Sequence, residues 1–310
     1  MEIQIQEQHL AHQQDAAPDL TSVVAQLRHS REITHKVRHL GRIRELPSKA
    51  ALLDILQGLA AALFPTHYSN VQLNDDSIDY FVGHTLNSIK PILIEQVRRA
   101  LLFVAGETGG DEQTLPQQAE YITQQFLSQL PEIRGLLVSD LHAAFQGDPA
   151  ASSISEVLLC YPGTIAILHH RLAHALLRLG VPFLARMIAD IAHSRTGIDI
   201  HPGAQIGDSF FIDHGTGVVI GETAIIGNHV RLYQAVTLGA KRFPSDEQGV
   251  LLKGNARHPI VEDDVVIYAG ATILGRITIG KGSTIGGNVW LTQSVPPGSN
   301  VSQAHMRSGD

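Results

Sequence analysis

Only one cysteine, Cys160, occurs in 310 residues, so no internal disulfide can staple the chain, and a reducing, cytoplasmic setting is expected. Aromatic residues are nearly as scarce at 5%, which points to a core of small aliphatics. Basic excess is also missing. Lys plus Arg number 23 against 30 for Asp plus Glu, a formal net charge of −7, and this argues against a chain that wraps nucleic acid. Purely apolar runs such as Leu59–Phe64 fall far short of the roughly 20 residues that a membrane-spanning helix needs. No basic start followed by an apolar stretch marks a leader, and a soluble protein is expected. What is present is 44% hydrophobic content, enough for a real core, together with 28 glycines.

The first part of the chain reads as helix, because apolar residues recur at spacings of three and four. From Asp75 to Ala105 one stripe carries Ile78, Phe81, Val82, Leu86, Ile89, Leu93, Val97, Leu101 and Leu102, with a kink expected at Pro91. Similar stripes run over Pro116–Phe145 and Ser153–Leu179. A helical domain is expected over residues 21–196, preceded by a disordered Gln- and His-rich segment, 1–20. Cys160 falls within a helical stripe and reads as core, away from any base that would activate its thiol. His170 and His174 share a helix face, yet no carboxylate stands at ligand spacing. With His169 they read as packed or capping residues, and no metal is expected.

From Ile200 onward the period changes to six. Ile206 and Ile212 follow; an eight-residue step reaches Ile220; then come Ile226, Leu232 and Leu238. The frame lapses across Gly239–Pro259 and resumes at Val261, Ile267, Ile273, Ile279, Ile285 and Leu291. Small or β-branched residues such as Ala204, Ala224, Val230, Val265 and Ala271 recur four positions beyond the aliphatic. Six steps of about 100° leave a helix about 120° out of register, so no helical face can hold this pattern. Six residues do make a short strand plus a corner, and three such sides close a triangular coil with the aliphatics stacked inside. Glycines at 207, 221, 227, 239, 280 and 286 are expected to serve corners that need positive φ. The expected fold is therefore α+β: an N-terminal helical bundle, then a parallel β-helix over 197–302 with a protruding loop at 240–258 and a tail at 303–310.

Four segments stand in repeat register: Asp199-Ile-His-Pro, Asp213-His-Gly-Thr-Gly-Val-Val-Ile-Gly-Glu-Thr, Val236-Thr-Leu-Gly and Arg257-His-Pro. Gly147-Asp-Pro-Ala and the stretch holding Arg171 and His174 precede them. Together these segments resemble the serine O-acetyltransferases, hexapeptide-repeat acyltransferases with a left-handed β-helix. The match covers roughly Asp148–Ser302.

The resemblance implies transfer of acetyl from acetyl-CoA, as co-substrate, to the hydroxyl of L-serine. Such a transfer needs a general base, a partner that orients it, and donors for the developing oxyanion. By the resemblance His214, at the eight-residue step, is the base, Asp199 its partner, and His258 a second histidine delivered from a neighbouring subunit. Serine carries both charges, so carboxylates at Asp148 and Asp213 suit its ammonium and the guanidinium of Arg257 suits its carboxylate. Ala240, Ala269 and Gly270 match positions lining the pantetheine arm, and Lys281 is a candidate phosphate contact. A homotrimer or a dimer of trimers is implied. The tail, His305-Met-Arg-Ser-Gly-Asp310, has no terminal Ile, so a stable complex with O-acetylserine sulfhydrylase is not expected.

Three other readings compete. The same fold could serve a different hydroxyl acceptor, homoserine or a sugar, and Arg257 discriminates because only an acceptor with a carboxylate needs it. A zinc carbonic anhydrase needs three groove histidines with two on one coil, a spacing that His201, His214, His229 and His258 lack. A purely structural trimer would not gather His and charged residues at the bulge and the loop.

Overall fold

The computed structural model describes residues 19–34, 45–108, 112–242, 248 and 254–303. The expectations for residues 1–18, for the middle of the 240–258 loop and for the tail 304–310 lie outside the described residues. Two compact units are formed, Met1–Arg44 and Glu45–Asp310, so the helices after residue 44 belong with the β-helix rather than with the N-terminal stretch. In the first unit α1 (Leu20–His29) opens on Asp19, whose carboxylate accepts the Ser22 N–H at 2.7 Å, and it ends in a π-helical turn at Ser30–Thr34.

The second unit starts with α2 (Lys49–Leu63), α3 (Pro65–Tyr68) and α4 (Asp75–Thr108). Leu52, Ile55, Leu56, Leu59 and Leu63 of α2 are buried on one stripe against Ile89, Leu93 and Val97 of α4. Helix α4 continues through Pro91 as one element. The two long stripes expected at 116–145 and 153–179 are each divided, giving α5 (Leu115–Ser128), α6 (Leu130–Gly147), α7 (Ile154–Cys160) and α8 (Pro162–Arg178). Pro162 explains the second break, since Tyr161 before it is extended (φ −84°, ψ 122°), and at the first break Pro131 lies in the first turn of α6, where its missing N–H leaves no helical bond unmade. Cys160, at the end of α7, is exposed, which corrects its assignment to the core. Helix α9 (Pro182–Thr196) ends on Gly197 in the left-handed conformation, φ 68°.

Helix α8 is buried on nearly every side, including His169, His170 and Arg171. The histidines are packed or capping, as expected: His169 Nδ1 meets the Ile165 carbonyl at 2.7 Å and His174 Nδ1 the Pro202 carbonyl at 2.8 Å. Arg171 joins the layers. Its Nε and Nη2 donate to the two oxygens of Asp140 on α6 at 2.7 and 2.8 Å, and Nη2 also donates to the Gly207 carbonyl at 2.8 Å. Asp140 in turn accepts the Phe210 N–H at 2.9 Å, so the pair fixes the helices to the first turn of the β-helix.

The β-helix itself is a five-turn parallel coil. The first turn holds β1 (Asp199–Ile200), β2 (Gln205–Ile206) and β3 (Phe211–Ile212); the second β4 (Val219–Ile220), β5 (Ile225–Ile226) and β6 (Arg231–Leu232). The third holds β7 (Thr237–Gly239), β8 (Ile260–Val261) and β9 (Val266–Ile267); the fourth β10 (Thr272–Leu274), β11 (Thr278–Ile279) and β12 (Thr284–Ile285); the fifth β13 (Trp290–Leu291) and β14 (Asn300–Val301). Each strand pairs in parallel with its counterpart in the adjacent turn, giving three faces: β1-β4-β7-β10-β13, β2-β5-β8-β11 and β3-β6-β9-β12-β14. The register stacks Ile200, Ile220, Leu238, Ile273 and Leu291 into one inner ladder. The sixfold aliphatics are buried throughout except Ile206, which is partly covered beside Arg171.

The glycine expectation is corrected. None of the six glycines at 207, 221, 227, 239, 280 and 286 has positive φ, which falls instead on Ser209, His214, His229, Ala235, Asp264 and Asn288 and on other glycines such as Gly270 and Gly282. The glycines that follow the inner aliphatic are there for space: a Cβ on Gly207 would stand 2.4 Å from Asn228 Oδ1 and one on Gly280 2.3 Å from Pro297 N.

Candidate functional site

The coil places the expected site residues on its edges, and each edge has its own chemistry. His214 lies where the chain turns from the third face to the first. Two extra residues make a bulge there, and Gly215 and Gly217 carry it with φ of 92° and 81°. His214 itself has φ 59°, shared with five other non-glycine corners, so this backbone state belongs to the coil rather than to chemistry. The bulge rests on the segment that carries Asp199: Gly217 N–H donates to the Gly197 carbonyl at 2.8 Å, and Asp199 N–H to the Val218 carbonyl at 2.9 Å. The imidazole projects into solvent with 71% of its side chain exposed, and its Nε2 faces Asp213 Oδ1 at 3.9 Å. Asp199 thus lies directly beneath the bulge, and no hydrogen bond joins its carboxylate to His214.

Asp213 is largely buried and its other oxygen accepts Arg231 Nη2 at 2.6 Å. The Arg231 guanidinium lies over both the Phe211 and Tyr233 rings, 4.9 and 4.6 Å from their centroids. Asp148, at the end of α6, reaches the same edge. Its carboxylate accepts the Tyr161 hydroxyl at 2.5 Å and the Ala150 N–H at 2.8 Å. Those two bonds, aided by the nearby Arg231 and His214, hold it below the usual carboxylate range, and the same contact pushes the Tyr161 hydroxyl up to about 12. The Asp-Pro turn and the cluster are therefore one feature. Ala269 and Gly270 sit on this edge too, in the ladder above Gln234: Gly270 N–H donates to the Gln234 carbonyl at 3.0 Å.

His258 belongs to the opposite edge, between the first and second faces, where the loop returns to the coil. It is buried to 6% exposure and packs flat on Gly221, where a Cβ would stand only 2.0 Å from His258 Cδ2. Burial first, and then the positive charge of Arg257, push its imidazole down to about 4. Arg257 Nη2 pairs with Glu222 at 2.6 Å and pulls that carboxyl below its ordinary value. Thr223 accepts the backbone N–H of Arg257 at 2.9 Å, and Arg276 donates to the carbonyls of Thr223 and His258 at 2.6 and 3.0 Å. Ala240 opens the loop at this edge. Lys281 stands apart on the remaining edge, held by Asp264 at 3.3 Å and Asp263 at 3.7 Å.

The structure therefore assembles Asp148, Asp213 and His214 on one edge, with Asp199 beneath, and Arg257 with His258 on another. Tyr161 and Arg231 were not singled out from the sequence, and Glu222 and Thr223 stood only as the end of the Asp213 segment with no role given. Arg231 had a signal, since the six-residue frame puts it one turn above Phe211 and facing outward. Among the described residues no cluster of three or more His, Cys, Asp or Glu could hold a metal ion, and no helix is long and apolar enough to cross a membrane. Two cavities of about 550 and 450 Å³ lie among the helices, and neither is lined by His214 or His258.

Comparison with known proteins matches residues 89–168 to the family described as "Serine acetyltransferase, N-terminal" and residues 258–293 to "Bacterial transferase hexapeptide (six repeats)". The chain is 61% identical over 266 residues to "Serine acetyltransferase, plasmid" of Synechococcus elongatus, covering 85% of this chain and 83% of that protein. It is 49% identical over 162 residues to the serine acetyltransferase of Mycobacterium tuberculosis, covering 52% of this chain and 67% of that protein. Among solved structures, serine acetyltransferase 1 of Entamoeba histolytica in complex with L-cysteine superposes with a TM-score of 0.69 at 37% identity, covering 84% and 88% of the two chains. The Neisseria gonorrhoeae serine acetyltransferase in complex with serine gives a TM-score of 0.53 at 30% identity, covering 86% and 97%.

Proposed function

The chain belongs to the serine acetyltransferase family of left-handed β-helix acyltransferases, and on that premise we propose that it transfers acetyl from acetyl-CoA to the hydroxyl of L-serine, giving O-acetylserine in the cytoplasm. The observation that carries the site reading is the position of the two histidines. They flank the same face of the coil on opposite edges, His214 between the first and second turns and His258 lying on the second from the third. Their heights differ by about one turn, roughly 5 Å at the spacing of paired strands. One copy cannot join them across its own face. A second copy with a parallel axis can bring its first-to-second edge against the bulge, and three such contacts close a homotrimer with three equivalent sites. Pairing of helical regions would extend it to a dimer of trimers.

The reaction exchanges a thioester C–S bond for an ester C–O bond and moves one proton from hydroxyl to sulfur. His214 takes that proton at Nε2, the nitrogen facing Asp213, and returns it to the leaving thiolate. Asp199, beneath the bulge, is the carboxylate to which Nδ1–H turns when the ring is engaged, which selects the tautomer that leaves Nε2 bare. Asp148 and Asp213 offer ionised carboxylates to the serine ammonium, and Arg257 of the adjoining copy takes the serine carboxylate. Ala240, Ala269 and Gly270 leave backbone open to the pantetheine arm, while Lys281 serves the phosphates only by releasing Asp263 and Asp264.

The test is thiol release from acetyl-CoA with serine, homoserine and sugars as acceptors. Serine should be preferred, and Arg257→Ala should raise its KM at least tenfold. An acceptor indifferent to Arg257 would move the assignment to another hydroxyl. His214→Ala should lower kcat by roughly 10²–10⁴-fold with coenzyme binding and assembly unchanged; wild-type turnover in that variant would remove His214 as the base.

A further inference from the structure

His258 is held by a device that settles where its proton sits. Thr223 Oγ1 accepts two backbone N–H groups, from Arg257 at 2.9 Å and from His258 at 3.1 Å. A hydroxyl has two lone pairs and one proton, so with both lone pairs occupied its proton is free only to be donated. The acceptor at hand is His258 Nδ1, 2.9 Å away. Thr223 donates to that same nitrogen a second time, through its backbone N–H at 3.0 Å. An imidazole nitrogen that receives two donors cannot carry hydrogen, so the ring proton of neutral His258 resides on Nε2. The surroundings keep the ring uncharged, because the side chain is buried and two guanidinium groups, Arg257 and Arg276, stand beside it.

We propose that Thr223 is the positioning residue that fixes His258 as an Nε2–H donor, and that this donor serves the thioester carbonyl oxygen during acetyl transfer rather than acting as a second base. The assignment rests on His258 belonging to the acetyl-transfer site. The choice of acceptor follows from electron demand. A donor aimed at the attacking hydroxyl would tie up the lone pair that must form the new bond, whereas one aimed at the carbonyl oxygen gains strength as negative charge gathers there. The two histidines then divide the labour: His214, exposed, handles the proton, and His258 keeps its own throughout. No bond to His258 forms or breaks, and its proton count is the same before and after turnover.

The experiment is ¹⁵N NMR of protein labelled at its histidine rings, with the His258 signals assigned by their loss in His258→Gln. Wild type should show a pyridine-type Nδ1 and a pyrrole-type Nε2 from pH 8 down to about pH 5. Thr223→Val, which keeps the shape and the backbone N–H but deletes the hydroxyl, leaves Nδ1 with one donor instead of two; the Nε2–H tautomer should persist while kcat falls by roughly 3- to 10-fold, the worth of one hydrogen bond. Thr223→Ser should restore the rate. If Thr223→Val assembles poorly, the wild-type and Thr223→Ser spectra still decide the tautomer. His258→Gln should lower kcat by roughly 10²-fold or more while the acid limb of the kcat/KM profile stays in place. A pyrrole-type Nδ1, an imidazolium at pH 6, or a shifted acid limb in His258→Gln would overturn the proposal. The tautomer is read without turnover. Failure of serine acetylation with the tautomer intact would therefore count against the enzymatic reading and not against the clamp.

Discussion

Arg231 Nη2 donates to Asp213 at 2.6 Å while its guanidinium lies over the Phe211 and Tyr233 rings. The arginine thus holds in place, from the turn above, the carboxylate assigned to the serine ammonium. A planar cation held by two rings loses less side-chain freedom on pairing than a loose one, so Asp213 is presented in a single orientation. Arg231→Met keeps much of the bulk and removes the donor. Serine KM is expected to rise about tenfold in steady-state assays while KM for acetyl-CoA changes little; an unaltered serine KM would separate Asp213 from ammonium binding.

Gly221 is the floor on which His258 lies. A methyl group there would stand 2.0 Å from the ring, a separation no side chain tolerates, so Gly221→Ala must lift the imidazole off the coil. The expected outcome is at least a tenfold fall in kcat with assembly intact by light scattering. Normal turnover would mean that the ring position is immaterial.

The buried pair of Asp140 and Arg171 should behave as structure rather than chemistry. Breaking one side leaves the other charge stranded between α6, α8 and the first coil, at a cost of about 3–5 kcal/mol. Arg171→Met alone should lower the urea midpoint sharply, and adding Asp140→Leu should recover part of the loss. A single variant as stable as the parent would show that the two layers are held by other contacts.

Acid should weaken the fold through its neutral histidines. His258 titrates near 4 in the native state against 6.5 for the free side chain, and burial also lowers His169, His170, His174 and His201. Between those two values the unfolded chain binds the extra proton, so this stability is complete above about pH 6.5 and is lost as pH falls toward 4. For His258, beside Arg257, Glu222, Arg276 and His201, the contribution is at most about 3 kcal/mol. Urea midpoints at pH 7 and 5 should differ less in His258→Gln than in wild type, and equal differences would contradict the assignment.

The winding was legible because its rule is local. Ile200, Ile220 and Leu238 announce the stack by spacing alone, and burial of these residues follows from it. The corner glycines were misjudged because spacing cannot separate a demand for positive φ from a demand for room; that difference appears only when Gly221 is seen under a ring that arrives 37 positions later in the chain. Pro131 and Pro162 were visible, yet the stripes on either side continue across them and concealed the breaks. Cys160 read as core because it falls within a helical stripe, but that stripe stops at Tyr161 and the thiol lies on the outer side of a short helix. The roles of Thr223 and Arg231 stayed hidden for one reason. Each acts on a residue 18 to 35 positions away, and only the stacking of successive turns makes such positions neighbours.

A coil of this kind can lengthen by whole turns without disturbing its interior, because each turn caps the one below. That freedom is unequal along the axis. Turns added beyond Leu291 leave the edges beneath untouched, whereas a turn spliced between Ile220 and Val261 would raise His258 by one storey relative to the bulge that carries His214. Growth of this protein is therefore open at the top and closed in the middle.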